Sequence, residues 1–379
     1  MNTSKEVERV TCGSPSARMP KRIAAGVLFA FAAAVGAARA ENPVAVQTYY
    51  VPITEPQILQ AMQTINPSGT LSVNPVQTYI SVSAVADGTV IYYDQWENGF
   101  DADISNPANL YGAGNPGGTQ IWGDGNPANG APPGVPADLI DAGTVFILNN
   151  PVTTTNMQAI DFDGGDKIAS SKTIAVARAG WSTGPNTLLA GANEVFDTAS
   201  WGTSYRLPVG ANLATSFDYD KFSYAGFSVM AAQTGTIVQI DKDANGTYET
   251  SVTLNEGQSH LVNGGVQVGA RIQSNLPVQV DMITGDIDDD YECDFHRLLP
   301  NNLWSSSYYT PVSTSTSSAG TTVWLYNPTA SSITVQYQTR TGTGGNTLTT
   351  TALTVPGGTN GGYLKQVIPN GYGARFYNT

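Results

Sequence analysis

Histidine, cysteine and positive charge are scarce in this sequence, and each scarcity narrows what it can do. Only His260 and His296 could serve as ordinary imidazole bases. No His-Glu-x-x-His, Cys-x-x-Cys, Walker loop or Gly-x-Ser-x-Gly occurs, so a hydrolase triad finds no support. Both histidines read as hydrogen-bonded polar side chains. Gly112-Ala113-Gly114-Asn115-Pro116-Gly117 formally matches the dinucleotide-binding fingerprint, but it follows no strand, precedes no helix and carries proline where the helix should open, so it reads as loop. Charged residues make up 12% of the chain, with 17 Lys and Arg against 30 Asp and Glu. Nucleic acid and anionic membrane surfaces need a basic footprint and are poor partners for such a field. Helix-forming composition is lacking too: 40 Gly and 22 Pro argue against bundles and coiled coils. A hydrophobic fraction of 41% is ample for a core, so the chain reads as a folded, loop-rich β protein.

The apolar run at 23–38 is Ala-rich and shorter than the ~20 strongly apolar residues a spanning helix needs. It follows the basic stretch Met19-Pro20-Lys21-Arg22 and ends on Ala38-Arg39-Ala40, the small-x-small form of a signal peptidase site. Residues 1–40 are therefore expected to be a leader with a signal peptide cleaved after Ala40, with Met19 a candidate start. The exported chain would be secreted or held at the cell surface without a stable membrane span. Cleavage takes away six Lys/Arg and two Glu, leaving 11 basic against 28 acidic residues and a net charge of −17. Cys12 leaves with the leader, so Cys293 has no intramolecular partner and the fold must rest on core packing or metal.

What the sequence does contain is an internal repeat. Gly165-Asp166-Lys167-Ile168 through Val176 aligns without gaps to Gly269-Ala270-Arg271-Ile272 through Val280, and Gly373-Ala374-Arg375-Phe376 starts the phrase again, with a spacing of 104 residues both times. Ser200-Trp201-Gly202-Thr203-Ser204-Tyr205 aligns with Leu303-Trp304-Ser305-Ser306-Ser307-Tyr308, and Asp87-Gly88-Thr89-Val90-Ile91 with Thr234-Gly235-Thr236-Ile237-Val238. Phrases recurring in one order mark a repeat architecture. Each unit alternates apolar and polar residues over four to eight positions between Gly, Asn, Asp or Pro, the signature of short strands; a single helix is expected, at 55–64. The expected fold is all-β, built of tandem β-sandwich-like repeats of about 104 residues, with a propeller-like ring as the alternative. The units fall at 41–216, with a long Gly/Pro/Asn-rich loop insertion at 98–137, at 217–312, and at 313–379, where the repeat is incomplete. Trp201 and Trp304 occupy equivalent positions and read as core anchors.

The phrases at 269–280, at Val252-Thr253-Leu254-Asn255-Glu256-Gly257-Gln258-Ser259 and at 304–312 resemble the module of the IgGFc-binding protein family, found in the amino-terminal region of the mucus protein and in many large exported bacterial proteins. Residues 79–209, with Asp87-Gly88-Thr89-Val90-Ile91-Tyr92-Tyr93-Asp94-Gln95-Trp96-Glu97-Asn98-Gly99, resemble the first unit of those bacterial relatives. The resemblance implies the fold, export and a surface or extracellular role. Antibody binding is not carried over, because the shared motifs are structural.

Carboxylates carry the remaining chemistry. Asp241, Asp243, Asn245, Thr247 and Glu249 stand at positions 1, 3, 5, 7 and 9 of a loop with Gly246 at 6, the spacing by which a tight turn wraps calcium in oxygens. Position 12 is Val252, which excludes a helix-flanked EF-hand. A hairpin with a type I′ Asn245-Gly246 turn and solvated acids is the competing reading. A weaker cluster, Asp286, Asp288 and Asp290 with Asp289, Glu292 and Asp294 alongside, fits a cation, a basic partner or a solvated acidic loop. The third group, Asp94, Trp96, Glu97, Asp101 and Asp103 with Trp122 and Asp124, combines paired acids with tryptophan, as a glycosidase, a carbohydrate-binding loop or a calcium-ordered loop would.

The whole reads as a non-enzymatic β-repeat protein, secreted or on the cell surface, with a structural, adhesive or protein-binding role and calcium support. The alternative is an exported carbohydrate-binding protein or carbohydrate-active enzyme using the 94–124 loop. Its partner would be an extracellular protein or glycan. Asn42-Pro43-Val44-Ala45-Val46 resembles 275–280, so the mature amino terminus is also expected to supply the strand missing from the carboxy-terminal unit, within one chain or by self-association through strand addition.

Overall fold

The computed structural model describes residues 45–67, 75–101, 104–156, 158–184, 187–213, 217–311, 320–341, 348–359 and 361–378. The leader at 1–40, positions 42–44 of the expected donor strand and Asp103 lie outside the described residues. The chain is almost entirely β, and strict alternation sets its strands. In β2 (Val76–Ala84) every second residue is buried, so Val76, Ile80 and Val82 reach the core while the residues between them lie nearer solvent.

The amino-terminal part forms two four-stranded antiparallel sheets. One orders β1 (Gln47–Tyr50), β6 (Lys167–Ser170), β3 (Ile91–Asp94) and β4 (Gln120–Trp122). The other orders β5 (Val145–Val152), β2, β7 (Ile174–Gly184) and β8 (Thr187–Val195). Their facing side chains share one core around Trp122, Tyr93, Ile80, Leu148 and Ile168, as in a sandwich.

The next part uses the same pairings in a seven-stranded sheet of β9 (Gly202–Arg206), β10 (Tyr224–Ala231), β11 (Thr236–Asp241), β12 (Thr250–Leu254), β13 (Ser259–Val262), β14 (Arg271–Gly285) and β15 (Cys293–Arg297). Whereas the β6 and β7 strands are separated at residues 171–173, the 15-residue β14 runs through, taking the place of both. Its first half pairs β9 and β11, its second half β10 and β15. The carboxy-terminal part orders β16 (Ser307–Thr310), β21 (Tyr372–Tyr377), β18 (Ile333–Thr341) and β19 (Leu348–Val355), and pairs β17 (Thr321–Asn327) with β20 (Gly362–Ile368).

Registers repeat as well. Tyr49 faces Ile168, Tyr205 faces Ile272 and Tyr308 faces Phe376. The Trp201 indole donates to the Phe196 carbonyl at 3.2 Å, and Trp304 donates to Leu299 at 3.1 Å. Trp201 is buried against Tyr50 and Met230. Strands β9 and β16 precede the unit boundaries expected at 217 and 313.

The one α-helix, α1 (Glu55–Ile65), begins with proline in its first turn, where the missing N–H costs nothing. Ile58, Met62 and Ile65 pack against Leu189, Tyr224, Ile283 and Phe295, so α1 wedges between β8 and the seven-stranded sheet. Cys293 is buried and free in this cluster, and burial pushes its thiol up.

Two expectations need correction. The amino terminus does not complete the carboxy-terminal sheet within this chain: the Val46 N–H donates to the Ser170 carbonyl at 2.7 Å and β1 continues along β6. The 98–137 segment is more than an inserted loop, because it supplies β4. Trp122 is fully buried there, stacked on Tyr93 at 4.8 Å and edge-on to Phe146 at 5.4 Å, with its indole donating to Gln120 at 2.9 Å. Buried in this way, Trp122 cannot offer a face to a ligand. We expect Trp122→Ala to destabilise the protein by about 3–5 kcal/mol through the cavity it leaves. Denaturant melts check this; a loss under ~1 kcal/mol would show that β4 lies outside the core.

Candidate functional site

The acids expected at the mouth of the 98–137 segment gather around a loop that the sequence did not single out as chemistry, Asp161-Phe162-Asp163-Gly164-Gly165-Asp166. β3 ends on Asp94, and the following turn carries Trp96 and Glu97 across this loop. The Trp96 indole donates to Asp163 Oδ1 at 2.8 Å. The Asp161 N–H donates to Glu97 Oε1 at 3.2 Å, and the Asp163 N–H to Asp166 Oδ2 at 3.0 Å. Tyr93 donates its hydroxyl to the same Asp166 oxygen at 2.6 Å. The Gly164 N–H reaches Glu55 Oε2 at 3.0 Å. Gly165 has a φ of +119°, and a Cβ on it would meet Trp96 at 2.9 Å, so the indole lies directly against the loop backbone rather than forming an open platform.

Few cations enter this cluster. Arg178 pairs with Glu55, both side chains fully buried. Asp94 Oδ1, Glu97 Oε2 and Asp166 Oδ1 are buried without a hydrogen-bond partner among the described residues. Burial pushes Asp94 up to about 7 and Glu97 up to about 7. It pushes Asp163 and Asp166 higher still, with Glu55 and Glu97 as charged neighbours of both. Such carboxyls hold their protons near neutrality.

Asp94 Oδ2 accepts from the Asp101 N–H at 2.9 Å, and Asp101 accepts from the Thr119 N–H at 3.0 Å. Asp94, Trp96, Glu97 and Asp101 are thus brought together as a folded turn. Its tip, Phe100, packs edge-on to Tyr50 at 5.6 Å and beneath Lys167 at 5.5 Å. Lys167 reaches Glu256 at 2.7 Å, and the Tyr50 hydroxyl donates to the same oxygen at 2.6 Å. Gly257, at φ +69°, leaves room for the Phe100 ring, which a Cβ would meet at 2.4 Å. The aromatic and acidic turn therefore latches the first sheets to the loop after β12. Asp124 belongs elsewhere: it is exposed, accepts from the Asn126 N–H at 2.8 Å and sits against buried Asp138. Burial, helped by the Asp124 carboxyl and opposed by the hydrogen bonds from the Gly123 and Asn126 N–H groups, raises Asp138 to about 6.

In the 241–249 loop the carboxylate oxygens of Asp241, Asp243 and Glu249 lie within 4.8 Å of one another. Asp241 is fully buried and already saturated. Its Oδ1 accepts from the Asn245 N–H at 3.0 Å, and its Oδ2 from the Gly246 N–H at 3.0 Å and from Arg271 Nε at 2.8 Å. Asp243 accepts from the Asn245 amide at 2.9 Å, Glu249 from the Lys242 N–H at 2.7 Å, and the Thr247 N–H donates to Asn245 at 2.8 Å. Arg271, 30 residues downstream, also brings a positive charge to Asp241.

The turn of Asp286, Asp288 and Asp290 closes on the end of α1. The Asp288 N–H donates to the Ile65 carbonyl at 2.8 Å, the Asp290 side chain accepts from Asn66, and the Asp290 carbonyl accepts from the Leu188 N–H at 2.9 Å. Asp286 accepts from Ser223 at 3.3 Å. Of the histidines, His296 Nε2 lies 3.1 Å from the Thr284 hydroxyl, and burial lowers both His260 and His296.

Residues 191–356 match the family described as IgGFc binding protein. No curated protein matches this chain. The IgGFc binding protein match starts inside β8 and ends one residue beyond β19, so it holds β9 to β19 whole. Of the latch it includes Glu256 and Gly257, while the carboxyl cluster on Glu55, Asp94, Glu97, Asp163 and Asp166 lies before it. Among the described residues no helix is long and apolar enough to cross a membrane.

A carboxyl whose folded pKa is raised stabilises the fold below its unfolded value and loses that contribution as pH rises through the folded value. Asp94 and Glu97 set the window at about pH 4 to 7. We expect the melting temperature to fall across this range and the Asp94→Asn/Glu97→Gln variant to melt with a flatter pH profile. Parallel profiles for the two proteins would show that these carboxyls are ionised in the fold.

Proposed function

We propose that the chain is an exported β-repeat protein that binds extracellular protein, without catalytic activity. The observation that carries this reading is the IgGFc binding protein match over 191–356, joined to the expected leader at 1–40. The placement of the acids supports it. Asp94 and Glu97 are committed to backbone N–H groups, Trp96 to Asp163, and Trp122 to the core, so the residues that a glycosidase or glycan-binding loop would present serve internal contacts instead. The alternative of a carbohydrate-active protein draws its support from the Asp94 and Glu97 protons held near pH 7, as a general acid requires.

Binding tests separate the two. The secreted protein, expected to start at Glu41 by amino-terminal sequencing, is to be passed over immobilised extracellular proteins, including immunoglobulin Fc, and over a glycan array, and assayed for glycosidase activity. Saturable binding to protein with a blank array and assay is the expected result. Glycan binding or hydrolysis abolished by Glu97→Gln would replace this reading with the carbohydrate one.

Calcium support for the 241–249 loop belongs to the same proposal, resting on the convergence of Asp241, Asp243 and Glu249. A ligand that binds only the folded state raises its melting temperature. Calcium should therefore raise melting over chelator in the wild type, and Asp243→Ala/Glu249→Ala should remove the difference. Equal melting with calcium and chelator would remove the calcium reading.

A further inference from the structure

From residue 41 onward, one asparagine alone is followed by a residue other than proline and then by serine or threonine: Asn245, in Asn245-Gly246-Thr247. Asn66-Pro67-Ser68 and Asn327-Pro328-Thr329 have the hydroxyl but place proline before it. Asn-x-Ser/Thr without proline is the acceptor of N-linked sugar, and in an exported protein it belongs on a surface loop.

The fold places this tripeptide within reach of a large enzyme. It lies in the turn that joins β11 to β12, two strands paired from Thr236 with Leu254 to Ile240 with Thr250. Asn245, Gly246, Thr247, Tyr248 and Glu249 are all exposed. The chain reverses on Ala244 at φ +59° and Gly246 at φ +98°. Apart from its chain neighbours, a Cβ on Gly246 would meet only Arg271 Nη2, at 3.3 Å, so the tip is open. The reacting groups are held in place but not used up. Asn245 Oδ1 accepts from the Thr247 N–H at 2.8 Å, and Asn245 Nδ2 donates one hydrogen to Asp243 Oδ2 at 2.9 Å. Among the described residues the second Nδ2 hydrogen and the Thr247 hydroxyl have no partner.

We propose that Asn245 is glycosylated during export, its Nδ2 taking a sugar from a lipid-linked oligosaccharide diphosphate. The amide nitrogen forms a bond to the anomeric carbon, and the bond from that carbon to the diphosphate oxygen breaks. The lipid diphosphate leaves with the electron pair, and Nδ2 gives up one proton. One amide hydrogen remains for Asp243, and Oδ1 is untouched, so the turn through Thr247 and the convergence of Asp241, Asp243 and Glu249 are compatible with the modification. The sugar adds hydroxyl-rich bulk beside Tyr248, whose ring is 39% exposed and lies beneath Arg271 at 5.6 Å. The proposal goes beyond the protein-binding reading and rests only on its export step.

The test takes the full chain from the medium or surface of the cells that make it. Trypsin cuts after Lys242 and Arg271 and releases residues 243–271 as one peptide. Mass spectrometry should find this peptide heavier by one or more sugar residues in the wild type. Asn245→Gln and Thr247→Ala should carry none, while Thr247→Ser, which restores the hydroxyl, should carry the sugar again. Because the Thr247 side chain is exposed and unpartnered, both threonine variants should melt with the wild type, which separates lost modification from misfolding. Sugar that persists in Asn245→Gln or Thr247→Ala would overturn the proposal. So would an unmodified wild-type peptide from a chain whose amino terminus is Glu41, and that result would leave export standing. A chain held in the cell with its leader uncut would overturn both.

Discussion

Arg178 is the cation on which the first half of the molecule depends. Its side chain is fully buried and pairs with Glu55, the first residue of α1. Glu55 also takes the Thr78 hydroxyl of β2 at 2.5 Å and the Gly164 N–H of the acidic loop at 3.0 Å. One ion pair thereby fixes where α1 starts, how β2 and β7 sit beneath it and where the 161–166 loop turns. A buried pair gains little over an apolar isostere, but breaking one costs about 3–5 kcal/mol, because the remaining charge is left uncompensated. Here the remaining charge would be a carboxylate already facing Asp163 and Asp166. Arg178 also acts across the α1 interface: burial raises Asp281 of β14, and the charges of Arg297 and then Arg178 work against that rise.

The strong acidity of the chain makes such cations decisive. Where a basic side chain is at hand, an interior acid is built as an ion pair: Asp281 receives Arg297 at 2.8 Å and Asn193 at 2.6 Å, and Asp241 receives Arg271. Where no ion pair forms, burial raises Asp94, Glu97, Asp163 and Asp166, and their carboxyls are held by backbone N–H groups and by the Tyr93 and Trp96 donors. The cluster trades charge for hydrogen bonds, as burial in a low dielectric demands.

Much of the framework was legible in the sequence because its period is local. The Gly-x-x-Ile phrase opens β6 and β14, its third copy lies within β21, and the Tyr-bearing phrases mark β9 and β16. The helix was legible from its Glu-Pro start and apolar spacing. The sites were not, because their partners are distant in sequence: Asp163 and Asp166 join Trp96 and Tyr93 across about 70 residues, and Arg271 joins Asp241 across 30. Spacing within one loop shows which oxygens can converge, but not which side chain arrives to satisfy them. Trp122 misled for a related reason. Gly, Pro and Asn around it signal loop, and the three-residue β4 that carries it into the core is too short to show a period.

The family match changes the weight given to each acidic group. The match covers residues 191–356, and the cluster of carboxyls raised by burial on the first sheets lies before it. What the cluster does reach is the latch, through Lys167 next to Asp166 and through Phe100 beyond Asp101, and the latch ends on Glu256 and Gly257 inside the matched segment. The acids of the first sheets therefore act on the matched region by holding the loop after β12 in place, a positioning role. Within the matched segment, large apolar side chains stand exposed on the 241–249 loop, the acidic turn and β16: Tyr248, Tyr291, Tyr308 and Tyr309.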